Sequence, residues 1–234
     1  MIDLPGVMDA TWPAAALHRA GPWLVREGQG GGKRVSAASA EAPWQPADIA
    51  LAEATQASLG QPPLFLLRAG EEALDAELDA RGYRIVDPVI AYAAPVAALT
   101  TVPLPPIRVF PIWPPLAIQT DIWAEGGIGP ERLAVMVRTA SAHTSLLGRI
   151  NDRAAGSAFV ALHGDTAMLH ALHILPEQQR NGLGAHMMRA AAFWAQNLGA
   201  VNLSLVVTRE NAPACALYAS LGMQIVGQYH YRMK

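Results

Sequence analysis

Cysteine is nearly absent: the 234 residues hold one, Cys215. A single thiol forms no intrachain disulfide and rules out multi-cysteine metal centres. This fits a reducing compartment, and the expected localisation is cytoplasmic. Charge is also sparse, at 15% of residues, and balanced to a net −2. That balance excludes a protein that coats nucleic acid through bulk positive charge. Long uninterrupted apolar runs are missing too. The most apolar stretch, 89–116, is broken by Pro95, Pro103, Pro105, Pro106, Pro111, Pro114 and Pro115. A spanning helix wants about 20 apolar residues without such breaks. The start Met1-Ile2-Asp3-Leu4 has no basic region leading into an apolar core, so no signal peptide is read. The expectation is no membrane and no nucleic-acid partner. What is plentiful is apolar residue, at 52%, enough for a sizeable core and against disorder.

Length gives a prior between one and two domains. The Pro-rich stretch 101–115 is the expected boundary, as an extended connector or an edge strand crossing between lobes. It separates an N-terminal α/β lobe, 1–100, from a domain at 116–234. In the first lobe, Trp12 to Ala20 reads as helix. Pro22 to Glu27 and Arg34 to Ala38 read as strands around Gly28-Gln29-Gly30-Gly31-Gly32. Helix, strand, helix and strand follow at 46–58, 64–68, 71–81 and 83–93. In the second domain, Leu116 to Ala124 reads as a strand, and Gly129-Pro130-Glu131 opens a helix. Three successive strands at 145–151, 157–163 and 167–174 lead to a helix at 182–198, whose Leu183, Met187, Ala191 and Trp194 share one face. A strand, a helix and a final strand close the chain, which makes a layered α/β or α+β architecture. No sequence repeat stands out, although the halves could share a strand–helix plan.

The segment Leu172-His173-Ile174-Leu175-Pro176-Glu177-Gln178-Gln179-Arg180-Asn181-Gly182-Leu183-Gly184-Ala185 joins an apolar strand to a glycine-punctuated helix start. The first turn of a helix has orphan N–H groups and partial positive charge, so it suits an anion. Gly182 and Gly184 would let a diphosphate approach the backbone, and Arg180 adds a mobile cation. The spacing is neither G-x-G-x-x-G nor a Walker loop. No acid follows about 20 residues later, which argues against a dinucleotide fold.

Gln179-x-x-Gly182-x-Gly184 resembles the R/Q-x-x-G-x-G/A signature of the GNAT superfamily of acyl-CoA-dependent N-acyltransferases. Asn211-x-x-Ala214-x-x-Leu217-Tyr218-x-x-Leu221-Gly222-Met223 is similar to that family's second motif, with Met223 in place of an aromatic. The resemblance covers 116–234. It implies a mixed, mostly antiparallel sheet flanked by helices, with the first lobe a degenerate relative that shapes the acceptor cleft. It implies acetyl transfer from acetyl-CoA to a primary amine of a small molecule or peptide, in a ternary complex without metal. The alternative is a non-catalytic acyl-CoA-binding or regulatory module.

Carried over residue by residue, the resemblance sets the backbone of Leu172 and Ile174 against the pantetheine arm. The Leu172 N–H would stabilise charge in the tetrahedral transition state. The backbone of Gln179, Arg180, Asn181, Gly182, Leu183, Gly184 and Ala185 would hold the diphosphate. Asn211 would bond the pantetheine arm, or simply cap its helix. Tyr218 would protonate the departing sulfur, or be a core aromatic. An alkyl ammonium with pKa about 10.4 is neutral in roughly one molecule per few thousand at pH 7, so a base is needed. The strand that often supplies a glutamate has none here. His170, which shares parity with Met168, is the candidate base, directly or through water, while His173 would point to the opposite face. Cys215 reads as a small apolar residue. Gly28 to Arg34 reads as a hairpin turn with a basic rim, or as a loop that contacts substrate.

Overall fold

The computed structural model describes residues 2–234. The first half runs α1 (Leu4–Thr11), β1 (Ala16–Ala20), β2 (Trp23–Glu27), β3 (Ala38–Ala40), α2 (Ile49–Ser58), β4 (Leu64–Arg68), α3 (Glu72–Ala80) and β5 (Arg84–Pro95). A short α4 (Val96–Leu99), β6 (Val109–Ile112), α5 (Ala117–Glu125) and α6 (Pro130–Arg138) follow. The second half runs β7 (His143–Ile150), β8 (Arg153–His163), β9 (Thr166–Ile174), α7 (Leu183–Asn197), β10 (Asn202–Thr208), α8 (Ala212–Ser220) and β11 (Gln224–Met233).

Two elements depart from the sequence expectation. The first helix is Leu4–Thr11 rather than Trp12 to Ala20. Asp3 caps it by accepting the Gly6 N–H at 3.2 Å, and Pro5 suits the first turn. Pro13 then stops it, so Ala16–Ala20 is free to pair with β2. The segment expected as a strand at Leu116 to Ala124 is helix α5. The Gln119 side chain accepts the Leu116 N–H at 3.0 Å, and Gln119, Ile122 and Trp123 form its buried stripe. A period of 3.6 therefore outweighs the β-tolerant composition. A smaller shift affects Arg34 to Ala38: Lys33–Val35 is a single 3-10 turn and the strand begins at Ala38.

All strands join one sheet in the order β1-β2-β3-β4-β11-β5-β10-β9-β8-β7-β6. The plan of three strands, helix, strand, helix, strand occurs twice, once in each half. The closing strands are exchanged: β11 lies antiparallel to β4 of the first half, and β5 lies antiparallel to β10 of the second. The Pro-rich segment contributes β6, an edge strand on β7, where Pro111 needs no donor on its open side. Trp23, Phe65, Leu74, Leu78 and Tyr83 centre the first core, and α7 packs on Leu146, Val160, Leu169 and Leu203 in the second.

The exchanged β11 is tied to the first half by charge. Buried Arg232 donates to Asp75 at 2.7 Å, to Asp79, and to the Tyr83 carbonyl at 2.8 Å. Removing the guanidinium leaves two partly exposed carboxylates without their cation and the Tyr83 carbonyl without its donor. We expect Arg232→Ala to lower the unfolding free energy by about 1–3 kcal/mol, with both halves melting in one urea transition. Two separate transitions, or a loss under about 0.5 kcal/mol, would contradict this. The Arg232 hydrogen bond holds the Asp75 carboxyl below its ordinary 3.8. The stabilisation is therefore complete above that value and fades as pH falls through the lowered one.

Candidate active site

Strands β9 and β10 run parallel but pair only from Thr166 to Leu169 against Asn202 to Leu205. Beyond that point β10 stays on β5 as far as Thr208, while β9 stays on β8. A cleft opens, and the β9 backbone from His170 to Ile174 has no strand on its β10 side. The same stretch carries a bulge. Ser157 and Phe159 of β8 face His173 and His170 of β9, so β9 has one residue more. Ala171 adopts φ 50°, a left-handed conformation that costs about 1–2 kcal/mol for a residue with a Cβ. The Trp123 indole donates to the Ala171 carbonyl at 2.8 Å and holds it there.

The bulge inverts side-chain parity. Met168 and His170 lie on the face of α1, while Leu172 and Ile174 pack into the core beneath α7. His173 is corrected by this: it shares the α1 and α5 face with His170, against Gly126, where a Cβ would sit 2.6 Å from its ring. Strict alternation misplaces it because one extra residue shifts every side chain that follows.

The segment Gln179 to Ala185 forms the approach to α7. Gly182 precedes the helix with φ 75°, no side chain caps the end, and a Cβ there would meet nothing within 4 Å. The first α7 N–H groups are thus open to an anion. Arg180 and Asn181 are exposed, and Leu183 is buried. The Gln179 amide donates to the Ile174 carbonyl at 3.1 Å, and Asn181 donates to the Gln179 carbonyl at 3.2 Å. Packing also requires Gly184, since a Cβ would lie 2.8 Å from the Leu217 side chain on α8. Asn211 caps α8 by accepting the Ala214 N–H at 3.2 Å. Tyr218 is buried beside Tyr92, and burial raises its pKa to about 12. Cys215 lies half-buried near both rings.

The first half offers no second copy of this site. Four residues before its helix-ending glycine, Gly82, stands Leu78, where Tyr218 precedes Gly222. Glu71 stands where Asn211 would be. No glycine lies between β3 and α2.

On the other face the cleft opens into a cavity of about 230 Å³. His170 and Ala171 of β9 and Val206 to Thr208 of β10 line it, together with Trp12, Gly31 to Arg34, Asp87, Arg132, Tyr229 and Tyr231. Both halves contribute to this lining, which was invisible as a set in the sequence. The one signal was the glycine-rich run ending in Lys33-Arg34. That run packs on α6, where a Cβ at Gly31 would come within 2.6 Å of Val135. Among the described residues no group of three or more His, Cys, Asp or Glu is placed to hold a metal. None of the described helices is long and apolar enough to cross a membrane.

His170 is 5% exposed and both its ring nitrogens are engaged. A guanidinium only donates, so Arg34 Nη1 donates to Nδ1 at 3.0 Å. Nε2–H then donates to Thr11 Oγ1 at 2.9 Å, and that hydroxyl donates to the Val7 carbonyl at 2.6 Å. Burial, and then the Arg34 charge, push the imidazole well below 6.5, so it is neutral. The base role read from the sequence lacks a free lone pair in this arrangement. We expect ¹⁵N NMR to show the Nε2–H tautomer with no titration from about pH 5 to 8. A protonation midpoint inside that window would overturn the assignment.

Residues 116–223 match the Acetyltransferase (GNAT) family. The chain is 26% identical over 234 residues to "Uncharacterized N-acetyltransferase YobR" of Bacillus subtilis (strain 168), covering 96% of this chain and 95% of that protein. The fold is similar to a GCN5-related N-acetyltransferase from Kribbella flavida, with TM-score 0.71 and 20% identity over 100% of this chain and 96% of that one. It is also similar to a tandem GNAT protein from the clavulanic acid biosynthesis pathway, with TM-score 0.60 and 13% identity over 100% and 88%. The open α7 start and the β9–β10 cleft both lie inside the matched residues, so the comparisons support a GNAT-family acyltransferase domain at residues 116–223 of this chain.

Proposed function

We propose that the protein moves an acetyl group from acetyl-CoA to a primary amine by direct attack in a ternary complex. One observation carries this reading: the unpaired β9–β10 cleft joins an anion-ready helix start on one face to a cavity on the other. Acetyl-CoA supplies the activated thioester, and the residues present fit it. The uncapped N–H groups at the start of α7, with the backbone from Gln179 to Ala185, suit a diphosphate. The open backbone edge at Leu172 and Ile174 suits an amide-bearing arm, and the Leu172 N–H is the donor for oxygen charge that develops during transfer. Asn211 spends its side-chain oxygen on the cap, which leaves its amide nitrogen to donate. We take the first half, the Pro-rich stretch and 116–234 as three functional parts, the first walling the acceptor cavity.

Tyr218 is the proton donor to the departing sulfur. At about 12 its phenol keeps its proton in essentially every molecule at neutral pH. A thiol titrates near 8.5, so transfer from Tyr218 is uphill until the proton released by the attacking amine replaces it. His170 acts here as a positioning residue for Arg34. The ammonium gives one proton to solvent through the cavity mouth before it attacks, and the second, lost as the amide forms, is the one that returns to Tyr218. Calorimetry should show acetyl-CoA binding, and the absence of heat at about millimolar ligand would sink the reading. Tyr218→Phe should lower kcat about 10- to 100-fold with acetyl-CoA affinity unchanged. An unaltered kcat would remove Tyr218 from the acid role.

A further inference from the structure

The charged groups facing the acceptor cavity are unequal. Lys33, Arg34 and Arg132 are cations, and Asp87 is the one carboxylate among the described lining residues. His170 is neutral, and Tyr229 and Tyr231 are buried phenols. Lys33 and Asp87 pair at 2.8 Å and offset each other. That leaves Arg34 and Arg132 with no carboxylate within ion-pair distance among the described residues.

Arg34 is the more telling of the two. It is half-buried, and its one side-chain partner is a neutral ring. Nη1 is spent on His170, while Nε is buried with no partner. A buried N–H left unsatisfied costs roughly 1–3 kcal/mol, and more when it belongs to a charge. The Nε side of a guanidinium matches a carboxylate or phosphate with two parallel hydrogen bonds. Arg132 flanks the same wall. Gly32 approaches it at φ 102°, and a Cβ there would lie 3.6 Å from its guanidinium. His170, Thr11 and the Val7 carbonyl form a relay that fixes Arg34 from behind.

We infer that the acceptor carries an anionic group, carboxylate or phosphate, beside its amine, and that Arg34 with Arg132 receives it. The inference rests on the acyl-transfer reading and names its substrate class. The amine of a small amphoteric acceptor then lies toward the β9–β10 cleft, away from its anionic group. At about 230 Å³ the space is below the roughly 300–1,000 Å³ of drug-sized sites, which suits a small molecule. Purely cationic amines, such as polyamines, meet a wall with net positive charge and no anion to complete Arg34.

The test is a thiol-release assay with acetyl-CoA and matched acceptors. These are α- and ω-amino acids, their carboxamides, the decarboxylated amines, phosphoethanolamine, and spermidine. The expected result is kcat/KM at least about tenfold higher for an acid than for its amide, equivalent to 1.4 kcal/mol. Preference for phosphoethanolamine over the amino acids identifies phosphate, and the reverse identifies carboxylate. Arg34→Gln and, independently, the surface variant Arg132→Gln should erase the discrimination through KM while acetyl-CoA affinity stays unchanged. Equal or better turnover of amides, decarboxylated amines or spermidine overturns the inference. So does discrimination that survives both variants. If no amine is turned over, calorimetry of the same acids on the acetyl-CoA-loaded protein decides: binding lost in Arg132→Gln supports the inference, and none at about 10 mM overturns it. Failure to bind acetyl-CoA at all sinks the underlying acyl-transfer reading as well, which separates the two failures.

Discussion

At Ala171 the backbone is left-handed, and much of the site depends on that one residue staying so. The extra residue in β9 ends its pairing with β10, opens the cleft, and swaps which side chains face which layer. Without it, Leu172 would point toward α1 and His173 toward α7. A conformation that costs about 1–2 kcal/mol persists because its surroundings over-determine it. Trp123 is fully buried and its indole holds the Ala171 carbonyl. Ala rather than a β-branched residue at 171 keeps the penalty low.

The exchange of β5 and β11 explains why the first half stays with the second although it has neither the glycine run after its third strand nor a counterpart of Tyr218. Each half completes its sheet with the other's last strand, so neither has a closed edge alone. The consequence for chemistry is direct. Asp87 sits at a bulge in exchanged β5, and Tyr229 and Tyr231 come from exchanged β11. The cavity beside the cleft is therefore walled by elements that a single half would not supply.

Where the sequence was legible, it was legible for local reasons. The α7 start reads from two glycines and a polar turn, because backbone geometry there is set within six residues. Helices α3, α7 and α8 and strands β8 to β11 read from periodicity and glycine stops. The misreadings were at α1, α5 and His173. Proline and a capping side chain decided the two helices against composition, and a bulge with no residue signature moved the histidine. The shared parity of His170 with Met168 was legible, but the engagement of both ring nitrogens was not, because Arg34 and Thr11, its partners, lie 136 and 159 residues away.

Sequence by itself determined the open glycine turn before α7, the capped α8 with Asn211 and Tyr218, and the layered α/β class. These depend on neighbours along the chain, whose spacing is covalent. Only the tertiary structure decided what faces the cavity and which charges there go unpaired. The closing of an 11-stranded sheet brings Lys33, Arg34, Asp87 and Arg132 to one wall, and pairing across such distances leaves no periodic trace in the chain.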